Sequence, residues 1–276
     1  MIWLESTIML RAFVGCVLAG LLTGLVGVFV VRMKLSSIGY CMSHGAFAGA
    51  ALGVAAALDP LMTALLFAST TALFIGPVAD KARLHADVIT SIMFPLNMAL
   101  AFIFLTFSPE VGLKSDVANV LWGSVLSITN NDAVYLSALC AATVALLYLF
   151  WKELFAIMFD RKMAEADGIS TKPFVYFIIF LAGLVVTLSL KLVGGLLIFA
   201  LLFNPASSAL QFLDDMRTIV LASPIIGAST CVAGLVLSLT VNLPIGSSIV
   251  ILSSAVFAVA VIFSPKRRRG EVKSPT

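Results

Sequence analysis

Charged side chains are scarce in this 276-residue sequence, because only 11% of the residues are Asp, Glu, Lys or Arg while 61% are apolar. A soluble domain typically carries about 25% charged residues and about 45–50% apolar ones. The shortage excludes a cytosolic enzyme, a nucleic-acid-binding protein and a disordered chain. The formal net charge of +3 is also too small to indicate a polyanionic partner.

Catalytic and nucleotide-binding motifs are missing as well. The four cysteines lie far apart inside apolar runs, without a CxxC pair, which excludes a disulfide framework and a zinc ribbon. No GxxxxGK[ST] segment is present, so the chain binds no ATP through a P-loop. Ser-His-Asp, HExxH and paired-carboxylate arrangements are absent too. We therefore predict a protein that is not an enzyme and binds no cofactor of its own.

Long apolar runs separated by short charged loops make up most of the sequence. A helix of about 20 apolar residues spans a bilayer, and the runs lack the alternation of barrel strands. The N-terminus has no basic segment typical of a cleaved signal, so we expect the first run to remain as a membrane helix. We predict an all-α polytopic transmembrane helical bundle of eight or nine spans over residues 1–265, followed by a basic cytoplasmic tail over 266–276. The predicted spans are Met9–Val31, Ile38–Leu58, Leu61–Ala79, Val88–Phe107, Ala133–Phe150, Pro173–Leu190, Leu192–Ala206, Ile219–Thr240 and Ser247–Phe263.

The basic residues are distributed unevenly between the loops. If the C-terminal tail is cytoplasmic, alternation places 14 of the 17 Lys and Arg residues on the cytoplasmic side. Cytoplasmic loops of membrane proteins carry such an excess. The distribution predicts a cell-membrane protein with its N-terminus outside and its C-terminus inside.

The span Leu192–Ala206 is unusually short. Fifteen helical residues rise only about 22 Å, against a hydrocarbon core of about 30 Å. The segment opens on a Gly-Gly pair and closes on Asn-Pro. Interrupted helices of this kind line transport pathways, although a tilted or kinked helix without a transport role is the alternative. The apolar stretch Val117–Ile128 similarly predicts a re-entrant or interfacial helix.

The second span carries two features of interest. Gly45, Gly49 and Gly53 form a small-residue stripe that lets helices approach closely, either within the bundle or at a dimer contact. His44 lies near Tyr40 and Cys41 on one helical turn. An ionisable residue in a span indicates function, so we predict a metal or proton contact, with a neutral histidine bonded to a neighbouring helix as the alternative.

Two charged loops resemble docking surfaces, although ordinary solvated loops are the alternative. Ser207–Thr218 combines apolar and polar residues, and Phe159–Ile169 carries, one residue before its end, a glycine that suits the end of a helix. The residues that we expect to contact a partner are Ser207, Leu210, Gln211, Leu213, Asp214, Asp160, Glu165 and Gly168.

Several segments in colinear order resemble the zinc/manganese/iron (ABC-3 type) family of ABC transporter permeases. Leu35–Gly45 with the following run to Gly53 resembles its LSLIGDALSHA…ALG signature. Shorter matches are Leu121–Ser124 to LxGS, Phe159–Ile169 to FDxxxAxxxGI, Val193–Ala206 to VGxLLxxALLxxPA and Leu243–Gly246 to LPxG.

The resemblance implies a homodimeric importer permease for zinc, manganese or iron. It further implies two separate ATPase subunits, which hydrolyse the ATP, and an extracytoplasmic metal-binding protein. Two acidic residues of the family pattern are replaced here, by Tyr40 and by Asn242. A metal pathway at His44 would then use Tyr40, Cys41 or Asn204 as further contacts, or the substrate would differ from the family's usual metal.

Other functions remain open on the sequence alone. A related ABC permease for a metal chelate, haem or a vitamin shares the interrupted helix and the docking loops. A secondary transporter needs inverted halves and buried acid/base pairs, which the sequence does not display. A membrane scaffold without transport would not need an interrupted helix.

Overall fold

The computed structural model describes residues 2–35, 37–107, 128–194 and 198–268, and it contains helices and no strand in those ranges. The helices, in chain order, are α1 (Ile2–Arg32), α2 (Ile38–Ala55), α3 (Pro60–Ala82), α4 (Ala86–Thr106), α5 (Asn130–Leu149), α6 (Trp151–Phe159), α7 (Arg161–Ala166), α8 (Thr171–Val193), α9 (Ile198–Phe212), α10 (Met216–Val241), α11 (Ile245–Ile262) and α12 (Pro265–Arg268).

Polar side chains fix where several of these helices begin. Asp59 precedes α3 and accepts hydrogen bonds from two backbone N–H groups of its first turn, with Pro60 at the first helical position. Thr129 and Asp132 form a reciprocal capping box at the start of α5. Asp215 caps α10 by accepting a hydrogen bond from the Thr218 N–H. Such residues satisfy N–H groups that have no partner within the helix.

Eight helices of the described chain are long and apolar enough to cross a membrane. They correspond to eight of the nine predicted spans, and the all-α fold is confirmed. Residues 117–127 of the predicted stretch Val117–Ile128 lie outside the described residues.

The predicted span Leu192–Ala206 has wrong boundaries. α8 continues to Val193, and a separate 15-residue helix, α9, runs from Ile198 to Phe212 with Pro205 in its interior. Proline removes one backbone hydrogen bond of a helix, but α9 compensates by burying one face. The buried residues recur at helical spacing: Ile198, Leu201, Leu202, Pro205, Ala206 and Ala209. The first half of the predicted loop Ser207–Thr218 is therefore helical.

α1 and α10 pack antiparallel with their backbones in contact. A Cβ added at Gly20 would lie 2.5 Å from the carbonyl oxygen of Gly227, and one added at Gly227 would lie 2.3 Å from that of Gly20. One turn further, the Ser223 hydroxyl donates a hydrogen bond of 2.6 Å to the Gly24 carbonyl. Only glycine permits such an approach at these positions.

Polar contacts place several helix ends at one end of the bundle. The Ser37 N–H donates to Asp87 at 2.8 Å, joining the start of α2 to the start of α4. Lys172 pairs with Asp80 at 2.9 Å, joining α8 to α3. The antiparallel α1–α10 pair brings the α9–α10 connection to the same end. We call this end, formed by residues 33–35, 37, 80–87, 160–172, 213–215 and 263–268, the basic end.

Candidate metal pathway and coupling surface

His44 lies about two turns into α2 from the basic end. Its imidazole is buried, and Nδ1 hydrogen-bonds the Tyr40 carbonyl oxygen at 3.0 Å. The Ser43 hydroxyl is 3.2 Å from the same nitrogen and donates to the same carbonyl at 3.0 Å. Because Nδ1 is engaged with the backbone, Nε2 is the nitrogen left to ligate an ion.

The Tyr40 ring lies where three helices meet. It packs on Phe199 of α9 at a centroid distance of 4.2 Å and edge-on to Phe94 of α4 at 6.2 Å. Phe94 also meets the His44 ring edge-on at 4.6 Å. Tyr40 remains 42% exposed, so its ring forms part of an open surface beside the buried imidazole.

Cys41 points in a different direction from Tyr40 and His44. Its side chain is fully buried, and the Asn97 amide of α4 donates to its carbonyl at 3.2 Å and lies 3.8 Å from its Sγ. The three predicted contacts therefore divide, with Tyr40 and His44 meeting at Phe94 and Cys41 facing Asn97, one turn further along α4. Sequence reasoning missed Asn97, although a lone amide inside an apolar helix is a signal for a polar contact between helices.

Asn204 connects α9 to α11, because its amide donates to the Ser254 hydroxyl at 3.1 Å. Within the ranges that the structure describes, no three His, Cys, Asp or Glu side chains come together in a way that could hold a metal ion. The arrangement around His44 suits a brief contact with a passing ion better than a storage site, since a storage site needs several converging ligands.

The glycine stripe of α2 faces helices of the same chain. A Cβ at Gly49 would lie 2.5 Å from the Thr63 carbonyl oxygen, and one at Gly53 would lie 3.0 Å from the Pro60 Cα, both on α3. At Gly45 the nearest atom is the Asn97 amide nitrogen at 3.1 Å. The stripe thus sets how closely α2 approaches α3 and α4.

At the end of α9, the apolar residue that is exposed is not one of those predicted to contact a partner. Leu210 and Leu213 are half-buried against the core, whereas Phe212 is 47% exposed. Ser207 and Gln211 are half-buried, and Asp214 is exposed. Sequence reasoning missed Phe212 because this segment was expected to be a loop. In a helix, successive side chains point in different directions, so Phe212 faces away from the core that Leu210 and Leu213 contact.

The second predicted docking segment folds into the end of α6 and the short α7. Asp160 caps α7 by accepting hydrogen bonds from the N–H groups of Lys162 and Met163 at 2.7 and 3.0 Å. Gly168 ends the turn after α7 with φ +85°, a left-handed conformation that suits glycine. The apolar side chains of Phe159 and Met163 are exposed beside Asp160.

Glu165 ties α7 to the start of α8. The Thr171 hydroxyl donates a hydrogen bond to its carboxylate, and Arg161 pairs with it at 3.3 Å. The hydrogen bond from Thr171 is the main cause that lowers the pKa of Glu165 below its ordinary value, and Arg161 contributes in the same direction. The carboxylate therefore stays charged at neutral pH.

The eight long apolar helices of the described ranges give the chain the architecture of a polytopic membrane protein. Over residues 5–264 the sequence matches the model of the ABC 3 transport family, and the chain belongs to this family. The resemblance noted in the sequence is thereby confirmed, and the protein is embedded in a membrane. Its matched segment Leu121–Ser124 lies outside the described residues.

The similarity to relatives extends over nearly the whole chain. The manganese transport system membrane protein MntC of Listeria monocytogenes is 29% identical over 264 residues, covering 96% of this chain and 93% of the relative. A protein of Haemophilus influenzae named "Probable iron transport system membrane protein" is 29% identical, covering 94% and 90%. Among solved structures, PsaBC from Streptococcus pneumoniae in complex with Fab matches with a TM-score of 0.84 and 26% identity, covering 97% of this chain and 95% of that one.

Proposed function

We propose that this chain is the permease subunit of an ATP-binding cassette importer for a divalent metal ion, with manganese as the first candidate and iron or zinc as the others. The observation that carries the proposal is the end-to-end match to the ABC 3 transport family over residues 5–264. The manganese and iron transport names of its relatives support the choice of substrate.

The partners follow from the class of transporter. The chain has no P-loop, so ATP hydrolysis belongs to two separate ATPase subunits. A second copy of the chain completes the pathway, and an extracytoplasmic binding protein delivers the ion. The exposed Phe212 with Asp214, and the Asp160–Gly168 corner, are docking candidates at the basic end for the ATPases.

The orientation rests on the basic end. Eleven of the 17 Lys and Arg residues belong to its segments or to the C-terminal tail. By the positive-inside rule this end faces the cytoplasm. The N-terminus of α1 then lies outside the cell and the tail lies inside.

The ion's route passes His44 in this proposal. The imidazole is buried next to the exposed Tyr40 ring, and a neutral imidazole avoids the cost of a charge in the membrane while it keeps a lone pair for a cation. Tyr40 occupies the position of the family's acidic residue, so this chain offers the ion one nitrogen ligand and an aromatic surface. A contact with few ligands binds weakly enough for release.

Uptake of radioactive manganese tests the proposal. A strain lacking the chain is complemented with the wild type, with His44→Ala, or with His85→Ala as a matched control, since His85 is exposed before α4. We expect wild type and His85→Ala to restore uptake, and His44→Ala to lower it about tenfold, which corresponds to about 1.4 kcal/mol of interaction.

Competition with unlabelled iron, zinc or a metal chelate ranks the substrates. If the deletion changes uptake of none of the three metals, the metal-importer assignment is wrong. If His44→Ala transports normally but denatures at a lower temperature, His44 is a packing residue.

A further inference from the structure

Lys266 lies in the short α12, where the chain turns back on the end of α9. Its Nζ donates to the carbonyl oxygens of Leu210 and Leu213 at 2.7 and 2.8 Å, and it pairs with Asp214 at 2.8 Å. The hydroxyl of the neighbouring Ser264 donates to the Gln211 carbonyl at 3.2 Å. Ser264 and Lys266, between the end of α11 and the start of α12, thus bind four acceptor groups in the segment 210–214.

Two of the groups held by Lys266 are backbone carbonyls at the end of α9, that of Leu210 in its last turn and that of Leu213 directly after it. The last four carbonyls of a helix have no N–H donor within it, and a cation near this end is stabilised by the helix dipole. An ammonium group has three donors, and all three find an acceptor here. This saturation fixes the position of the ammonium group relative to the last turn of α9.

The opposite end of α9 contacts the candidate metal pathway. Phe199, in its first turn, packs on Tyr40, and a Cβ at Gly39 would lie 3.1 Å from the Phe199 Cβ. In its middle, Asn204 is bonded to Ser254 of α11. α9 therefore extends from the candidate pathway to the proposed ATPase-docking surface. It is bonded to α11 in its middle, through Asn204, and to α12 at its end, through Lys266.

We propose that Lys266 is a positioning residue that couples the docking surface to the pathway, by fixing the end of α9 to α11 and α12. This inference rests on the proposed function, because coupling requires an ATPase partner. When the ATPases push on the end of α9, the attachment through Lys266 makes α9 and α11 move together. Without it, the last turn of α9 yields locally and the displacement does not reach Tyr40.

An isolated ion pair would not carry this argument. Asp214 is largely exposed, and exposed pairs contribute little to stability. The two bonds from the Lys266 ammonium to backbone carbonyls are charge-assisted, and such bonds are about twice as strong as neutral ones. They also act on the backbone, so their effect does not depend on the neighbouring side chains.

Three variants test the inference in the complete transporter, purified with its ATPase subunits and reconstituted in vesicles. Lys266→Met removes the charge and keeps the length of the side chain, and Lys266→Arg restores donors. Lys81→Met is the matched control, since Lys81 is an exposed lysine in the last turn of α3 at the same end of the bundle. The measurements are amide hydrogen exchange over residues 207–215, ATP hydrolysis, and manganese uptake.

Lys266→Met is expected to speed exchange over 207–215 about tenfold and to lower the manganese moved per ATP hydrolysed by a similar factor. The amount of ATPase that copurifies and the denaturation temperature should stay unchanged. Lys266→Arg should recover more than half of the loss, and Lys81→Met should match wild type. A purely structural role would instead lower the denaturation temperature and leave the ratio of transport to hydrolysis intact, which would overturn the inference.

The two proposals fail in different ways. If wild type moves no manganese while Lys266→Met still changes exchange and ATP hydrolysis, the substrate assignment is wrong and the role of Lys266 stands. If wild type moves manganese and Lys266→Met equals it in exchange and in transport per ATP, the role of Lys266 is refuted and the metal importer stands.

Discussion

Replacing Gly49 by alanine tests the close contact between α2 and α3. The added Cβ would lie 2.5 Å from the Thr63 carbonyl oxygen and 2.7 Å from the Ala64 Cα. Both are backbone atoms of α3, so no side-chain rotation relieves the overlap. The two helices must separate, or α2 must shift along its axis.

The expected cost follows from two opposing effects. Overpacking a tight contact costs about 1–3 kcal/mol, while alanine is about 1 kcal/mol more favourable than glycine inside a helix. The net loss at Gly49 is then about 0–2 kcal/mol, with the backbone contacts placing it near the upper limit. At Gly45 the nearest atom is the Asn97 amide nitrogen at 3.1 Å, which can give way, so Gly45→Ala should be neutral or slightly stabilising.

Thermal denaturation of the purified chain in detergent measures the difference. At about 2–4 °C per kcal/mol for chains of about this size, Gly49→Ala should lower the midpoint by about 4–8 °C. Gly45→Ala, the matched control on the same stripe, should stay within about 2 °C of wild type by the same scale. Equal midpoints for the two variants would refute the assignment of the close contact to Gly49.

Three further outcomes follow from the site. Phe212→Asp should reduce ATPase copurification about tenfold, since it puts a charge on an exposed apolar contact, and unchanged copurification would remove Phe212 from the docking surface. Tyr40→Asp should lower the apparent KM for manganese about tenfold, because a carboxylate suits this ion, and an unchanged KM would remove Tyr40 from the ion's route. Thr171→Val should raise the pKa of Glu165 towards its ordinary value, as NMR titration of the carboxylate would reveal. The stabilisation from Glu165 is present above its unfolded-state pKa and is lost as the pH falls through its lowered folded-state pKa. The Thr171→Val variant should therefore retain less of this stabilisation. An unchanged pKa of Glu165 in the variant would contradict the assigned cause.

The long spans could be predicted because their only requirement is length and apolar composition. Bilayer thickness sets that length, and α2 begins at Ile38 both in the prediction and in the structure. The short α9 could not be placed in this way. Its limits depend on which face finds a partner, and Pro205, a local signal for the end of a helix, is outweighed by burial against the neighbouring helices.

The residue types of the candidate site could be predicted from the sequence, but the directions in which their side chains point could not. His44 stands out as an ionisable residue in an apolar span. The division between Tyr40, which faces Phe94, and Cys41, which faces Asn97, depends on where α4 lies. The sequence predicts Lys266 as part of a basic tail, because nothing near it in the sequence indicates that α9, over 50 residues earlier, ends beside it.

The contact between Gly20 and Gly227 has a consequence for how this sequence can vary. A larger residue at one position of a packed pair is often accommodated by a smaller residue at the other. Here each added Cβ would overlap the other glycine's backbone, and no residue is smaller than glycine. A double substitution therefore cannot restore the fit, and each position accepts a side chain only if α1 and α10 move apart, which would also break the hydrogen bond between Ser223 and Gly24.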